Sequence, residues 1–156
     1  MKRKIYVETS VISYLTTKAI NPTAVYRQQQ AQLLWQSRHF SPVISEVVVD
    51  EICRGDADRS RQRLEVVAGV MILPTTEEAI YLAQLLIDRK AFPTKAFSDA
   101  LHIAITTVHR VPAIASYNFR HIAGAFSRRL IEHTLQQLGY ASPVIASPED
   151  IVGGLP

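Results

Sequence analysis

Three carboxylates and one carboxamide stand beside apolar runs in this chain, where their oxygens could be gathered at one place. Glu8 follows Lys4-Ile-Tyr-Val7, and Asn118 lies just past Pro112-Ala-Ile-Ala-Ser116. Glu51 comes about one helical turn after Phe40-Ser-Pro-Val-Ile44. Asp99 stands near the start of Lys95-Ala-Phe-Ser-Asp-Ala-Leu-His-Ile-Ala-Ile105, a helix apolar on nearly every side. A charge in so apolar a helix costs free energy unless it is capped, paired or bound to a cation. Oxygen ligands with little nitrogen or sulfur suit magnesium or manganese rather than zinc. Such an ion lowers the pKa of a bound water and offsets charge on a phosphodiester during in-line attack.

Each of these side chains also has a plainer reading. Glu8 can cap the helix that follows it, with Thr9 and Ser10 as further candidates for that cap. Glu51 can be solvated, as Glu46 and Asp50 are expected to be. Asp99 can bond Ser98 or Lys95, or simply be favoured by the helix dipole in a first turn. His102 reads as a hydrogen-bonded core or rim histidine rather than a ligand, and His121 as an anchor for its own loop. Cys53 reads as a buried apolar residue of its helix.

The elements that must position these residues alternate along the chain. Strands are expected at 4–7, 40–44, 70–73, 112–116 and 143–146. Helices are expected at 11–17, 23–38, 46–54, 58–69, from the Thr75-Thr-Glu-Glu78 capping box onward, 95–110 and 127–138, with a short one after Ser147-Pro148. Strands alternating with helices imply an α/β fold, a parallel sheet covered on both faces. Ligands of such a sheet bind beyond the carboxyl ends of the strands, at the switch in strand order. Glu8, Glu51, Asp99 and Asn118 all fall near that mouth.

A chain of 156 residues suits one domain with a sizeable core. Its 47% hydrophobic and 20% charged residues exclude a disordered polymer. The net charge of +3 is compatible with a nucleic-acid ligand but selects for none. Arg54, Arg59, Arg61, Arg63, Arg120, Arg128 and Arg129 form a candidate surface for RNA or a partner, a solvated basic face being the equal alternative. One cysteine excludes an internal disulfide and fits a reducing cytoplasm. Met1-Lys-Arg-Lys4 could open a signal peptide, but the apolar segment after it is broken at Glu8, Thr9 and Ser10. No run approaches the roughly 20 apolar residues of a membrane span.

Four stretches together resemble a known family. Tyr6-Val-Glu-Thr-Ser-Val-Ile-Ser-Tyr14, Ser45 to Gly55 with Glu51 inside it, Lys95 to Ala104 with Asp99-Ala-Leu-His-Ile-Ala104, and Ala115-Ser-Tyr-Asn-Phe-Arg-His-Ile122 match, in order, the motifs of PIN domains. These are metal-dependent ribonucleases that include the VapC-type toxins of toxin–antitoxin pairs, and Ser147-Pro-Glu-Asp150 resembles the end of that domain. The resemblance implies a single PIN-like domain over residues 1–156, with a five-stranded parallel sheet of order 3-2-1-4-5. It implies hydrolysis of single-stranded or structured RNA with magnesium or manganese. Glu8, Glu51, Asp99 and Asn118 then become the catalytic set, the three acids the metal ligands, and Thr9 or Ser10 the hydroxyl beside the first acid. Lys95 and Arg120 are candidate RNA contacts. A cognate antitoxin and a homodimer are the implied partners, with Val11 to Leu15 and Leu33 to Trp35 as candidate contact surfaces that can equally be core.

Two positions depart from the family pattern. Glu8 replaces the usual aspartate with a side chain one methylene longer, and Asn118 replaces a further aspartate and removes one negative charge. Asn118 keeps a carbonyl oxygen that can coordinate or accept a hydrogen bond. These departures leave a second reading open, a catalytically weak PIN-like module that binds RNA or protein. A phosphoacceptor signalling domain would need paired acids after the first strand and an aspartate ending a central one. Glu8-Thr9 and Leu73-Pro74 do not meet that pattern.

Overall fold

Ile5, Tyr6 and Val7 have no exposed surface at all. Three consecutive buried residues mark a strand covered on both faces, as the middle of a parallel sheet must be. In the computed structural model, which describes residues 1–155, this strand is β1 (Arg3–Val7). Its neighbours are β2 (Phe40–Ser45) and β4 (Ala113–Ala115), with β3 (Met71–Leu73) and β5 (Val144–Ala146) at the edges. All pairings are parallel, and the order is β3-β2-β1-β4-β5, the order expected. The edges are wetter: Met71 and Ile72 on β3 and Val144 on β5 stay exposed.

Parallel strands need crossovers; of the eight α-helices among the described residues, the first seven supply them and the eighth follows the last strand. The helices are α1 (Thr9–Thr16), α2 (Pro22–Trp35), α3 (Glu46–Ile52), α4 (Ala57–Val66), α5 (Glu77–Asp88), α6 (Phe97–Val108), α7 (Ala125–Gln137) and α8 (Pro148–Gly153). Most open on a side chain that accepts from the first free N–H groups: Asn21, Ser45, Asp56, Thr76 and Ser147. The α5 stripe of Ala79, Leu82, Ala83 and Leu86 is fully buried and packs on α6, where Ala100, Ile103, Ala104 and Ile105 are fully buried too. At roughly 1.5–3 kcal/mol for each large aliphatic side chain buried, this pair alone fixes the course of α6.

Several boundaries differ from the sequence reading, each for a local reason. Helix α1 begins at Thr9 because Glu8, not Thr9 or Ser10, is its cap. Helix α2 stops at Trp35 rather than near Arg38, because Arg3 N–H bonds the His39 carbonyl and draws that segment to the sheet. In α2 it is Ala31 and Leu34 that are buried, whereas Val25 and Leu33 are exposed. Helix α3 ends at Ile52, and Cys53 is an exposed C-cap instead of a buried residue. The expected helix from Lys95 divides into a 3-10 turn, Thr94–Ala96, and α6. Gly124 precedes α7 for a steric reason: a Cβ there would lie 2.1 Å from the Phe119 carbonyl oxygen.

Candidate active site

The register brings the carboxyl ends of the central strands to one edge, Val7 beside Ala115 and Ser45 beside Leu73. Glu8 is the next residue after β1, its N–H bonding the Ala115 carbonyl as though the strand continued. Its side chain is only 4% exposed. Burying a carboxylate is tolerable when donors replace water, and Glu8 has three. Ser10 N–H reaches Oε2 at 2.6 Å, while Oε1 accepts from Ser10 Oγ at 2.8 Å and Ser116 Oγ at 2.6 Å. Ser10 Oγ also accepts from Tyr117 N–H at 2.8 Å.

Glu51 sits in the last turn of α3 and is held from the opposite side. Its Oε1 accepts from Thr9 Oγ1 at 2.8 Å and pairs with His102 Nε2, and Ser98 Oγ approaches Oε2 at 3.4 Å. His102 is 1% exposed, and its Nδ1 lies 2.6 Å from the Tyr6 hydroxyl. The chain of bonds continues from Tyr6 to Ser45 Oγ at 2.7 Å, and Ser45 caps α3 by accepting from Val48 N–H. The network therefore starts at one end of α3 and returns to the acid at the other. Burial alone would push the His102 pKa down, but the bond to Glu51 and the charges of Glu8, Glu51 and Asp99 outweigh it and raise it. As an imidazolium, His102 donates from both nitrogens, to Glu51 and to the Tyr6 oxygen. Burial would raise the Glu51 pKa, yet His102, Thr9 and Ser98 together hold it below the ordinary carboxylate range. Burial keeps the Tyr6 phenol protonated far beyond neutral pH.

Asp99 is the third acid, in the first turn of α6. Its half-burial raises its pKa and the charge of Glu8 adds to the rise, against the opposing pull of His102, His121 and Asn118. No well-formed hydrogen bond reaches the Asp99 carboxylate among the described residues, so neither Ser98 nor Lys95 holds it. Asn118 Oδ1 accepts from His121 N–H at 3.1 Å. That oxygen is thus used inside the loop, while the Asn118 side chain lies close enough to Asp99 to oppose the rise in its pKa. Lys95 and Arg120 are exposed near the mouth and form no ion pair among the described residues.

The structure thus brings Glu8, Glu51, Asp99 and Asn118 together, with Thr9 and Ser10 each bonded to one acid. What sequence reasoning missed is the support: Tyr6, Ser45 and Ser116, and the orienting bond from His102. The donor set, carboxylate oxygens around a half-buried acid with a raised pKa, fits a hard divalent cation in its chemistry. As the side chains stand, no three His, Cys, Asp or Glu residues among those described are close enough to ligate one.

Known proteins share this arrangement of strands and helices. The structure is similar to VapC20 of Mycobacterium tuberculosis, described as a sarcin–ricin loop cleaving toxin, with 18% identity and a TM-score of 0.60 over 74% of this chain and 91% of that one. It is also similar to VapBC2 of Rickettsia felis, solved on a DNA fragment from their promoter, with 12% identity and a TM-score of 0.51 over 76% and 90% of the two chains. At such identities the likeness speaks for the fold alone. No curated protein sequence matches. The PIN domain model matches residues 5–126, a span that runs from within β1 past β4 and holds Glu8, Glu51, Asp99 and Asn118, and the chain belongs to the PIN domain family.

Proposed function

We propose that this protein is a metal-dependent endoribonuclease, the toxin of a toxin–antitoxin pair. The observation that carries the reading is the meeting of Glu8, Glu51 and Asp99 at the carboxyl ends of the strands in a PIN fold. Glu8, Glu51 and Asp99 would hold magnesium or manganese, and Asn118 would steady Asp99 through its amide. A bound ion would offset charge on the phosphodiester and acidify the attacking water. The protein's own share is orientation. Ser10 and Ser116 orient Glu8, while Thr9 and the His102 chain orient Glu51, so both acids are aimed before the site fills, and closing round an ion would take a further side-chain movement. RNA is the substrate in this reading. A cognate antitoxin and a second copy of the chain are its partners, and the cytoplasm is its compartment. No helix among the described residues is long and apolar enough to cross a membrane.

A second reading is a catalytically weak PIN module that binds RNA or protein. Two observations favour it: both Glu8 oxygens already accept hydrogen bonds, and the Asn118 carbonyl is spent on its own loop. One experiment separates the two. Under the enzyme reading the wild type cleaves RNA with magnesium or manganese, and Asp99→Asn or EDTA abolishes cleavage. RNA bound but never turned over with any divalent ion would favour the module. Cleavage that survives Asp99→Asn would remove the site assignment altogether.

A further inference from the structure

Arg27, in the second turn of α2, holds its charge in an unusual setting. Its guanidinium carbon lies 5.8 Å from the ring centre of Tyr14, 5.5 Å from that of Tyr117 and 5.2 Å from that of Phe119. All three fall within the range in which a ring face attracts a cation. No carboxylate pairs with Arg27 among the described residues. Glu149 is near enough to help burial raise the Tyr117 pKa, but its buried Oε2 has no hydrogen-bond partner among the described residues. The rings are locked together: Tyr14 and Tyr117 meet edge to face at 4.9 Å, Arg27 Nη1 donates to the Tyr14 hydroxyl, and the Tyr117 hydroxyl donates to the Arg27 carbonyl.

A cluster that served only to pack α2 against the loop would be expected to bury its rings. Tyr117 is buried, but Phe119, the outermost ring, is 41% exposed. Phe119 is the residue after Asn118, and Tyr117 is bonded to Ser10, which is bonded to Glu8. The exposed ring therefore stands at a fixed offset from the acids, with exposed Arg120 beside it. Unpaired nucleobases are bound on aromatic rings and guanidinium planes, and a ring held rigid before binding loses little freedom when the base arrives.

We infer that Phe119, backed by Arg27, is a stacking seat for one unpaired nucleobase of an RNA strand whose phosphate enters the carboxylate site. This rests on the ribonuclease reading for the identity of the strand and deepens it. The substrate at this position is RNA with a base turned out of its stack, not a fully paired helix.

The test is binding in EDTA, by fluorescence anisotropy, of a short unpaired RNA and of the same RNA with a single abasic nucleotide moved through every position. At one position the abasic strand should bind the wild type about tenfold more weakly. Phe119→Leu, which keeps apolar bulk without a π face, should bind the intact RNA about tenfold more weakly and the abasic one no worse than wild type does. Equal loss on both strands, indifference to the abasic site at all positions, or no binding of unpaired RNA overturns the seat. Should Phe119→Leu not fold, the wild-type comparison decides by itself. Base-dependent binding without metal-dependent cleavage would uphold the seat and remove the ribonuclease. Cleavage with base-blind binding would do the reverse.

Discussion

The acids at the strand ends and the acid on α6 are built differently. Glu8 and Glu51 are covered by donors, three on one and an imidazole with two hydroxyls on the other. Asp99 is half-buried with no such cover, and its pKa rises where that of Glu51 falls. The held acids set the shape of the site, and the less covered one leaves it with charge that His102, His121 and Asn118 offset only in part. Structure and function should therefore respond differently to the same kind of substitution on the two sides.

The largest effect belongs to Asp99→Asn, which should lower metal-dependent RNA cleavage by about 10²- to 10³-fold. Its urea midpoint should stay level or rise, since a poorly compensated charge is removed; a clear loss of stability would erase the contrast. Glu8→Ala should instead cost about 3 kcal/mol in urea unfolding, because α1 loses its cap and two serine hydroxyls lose an acceptor. Tyr6→Phe strands His102 Nδ1 and Ser45, at about 2 kcal/mol. It should also weaken manganese binding about tenfold, read by electron paramagnetic resonance of the free ion.

Stability measured in EDTA against pH sharpens the comparison further. The depressed Glu51 pKa contributes stability present above the unfolded value and lost as pH falls through the folded one. The raised Asp99 pKa works the other way, its penalty fading as pH falls. Glu51→Gln should therefore flatten the acid limb of the stability curve and Asp99→Asn steepen it. Ser98→Ala should change little, within about 0.5 kcal/mol, because its bond to Glu51 is long and partly exposed.

Glu8 and Glu51 could be placed from the chain because each follows an apolar run that predicts where a strand ends, and Asp99 because it is a charge near the start of an apolar helix. The alternation of elements was readable for the same reason, and the strand order came with the family motifs. The Tyr6–His102–Ser45 chain was not readable, since its bonds join residues 39 and 96 positions apart. Tyr6 stands in a buried strand like any core aromatic, and only tertiary packing shows its hydroxyl to be used. Cys53 misled because helical spacing gives a face but not the point at which the helix stops. The Asn118 carbonyl accepts a hydrogen bond, one of the two uses expected of it, but residue type alone could not name His121 of its own loop as the donor.

Ser10 connects these two halves in mechanical series. One oxygen donates a hydrogen bond to Glu8 and accepts one from the Tyr117 N–H, so the same atom gauges the distance from acid to aromatic loop. Replacing it with alanine would remove no charge and no ring. The acid would still be tied to the loop through the Ser116 hydroxyl, but with one tether in place of two, and on the ribonuclease reading a strand would be held less sharply against the acids. On that reading, the position of the cut should loosen before its rate falls.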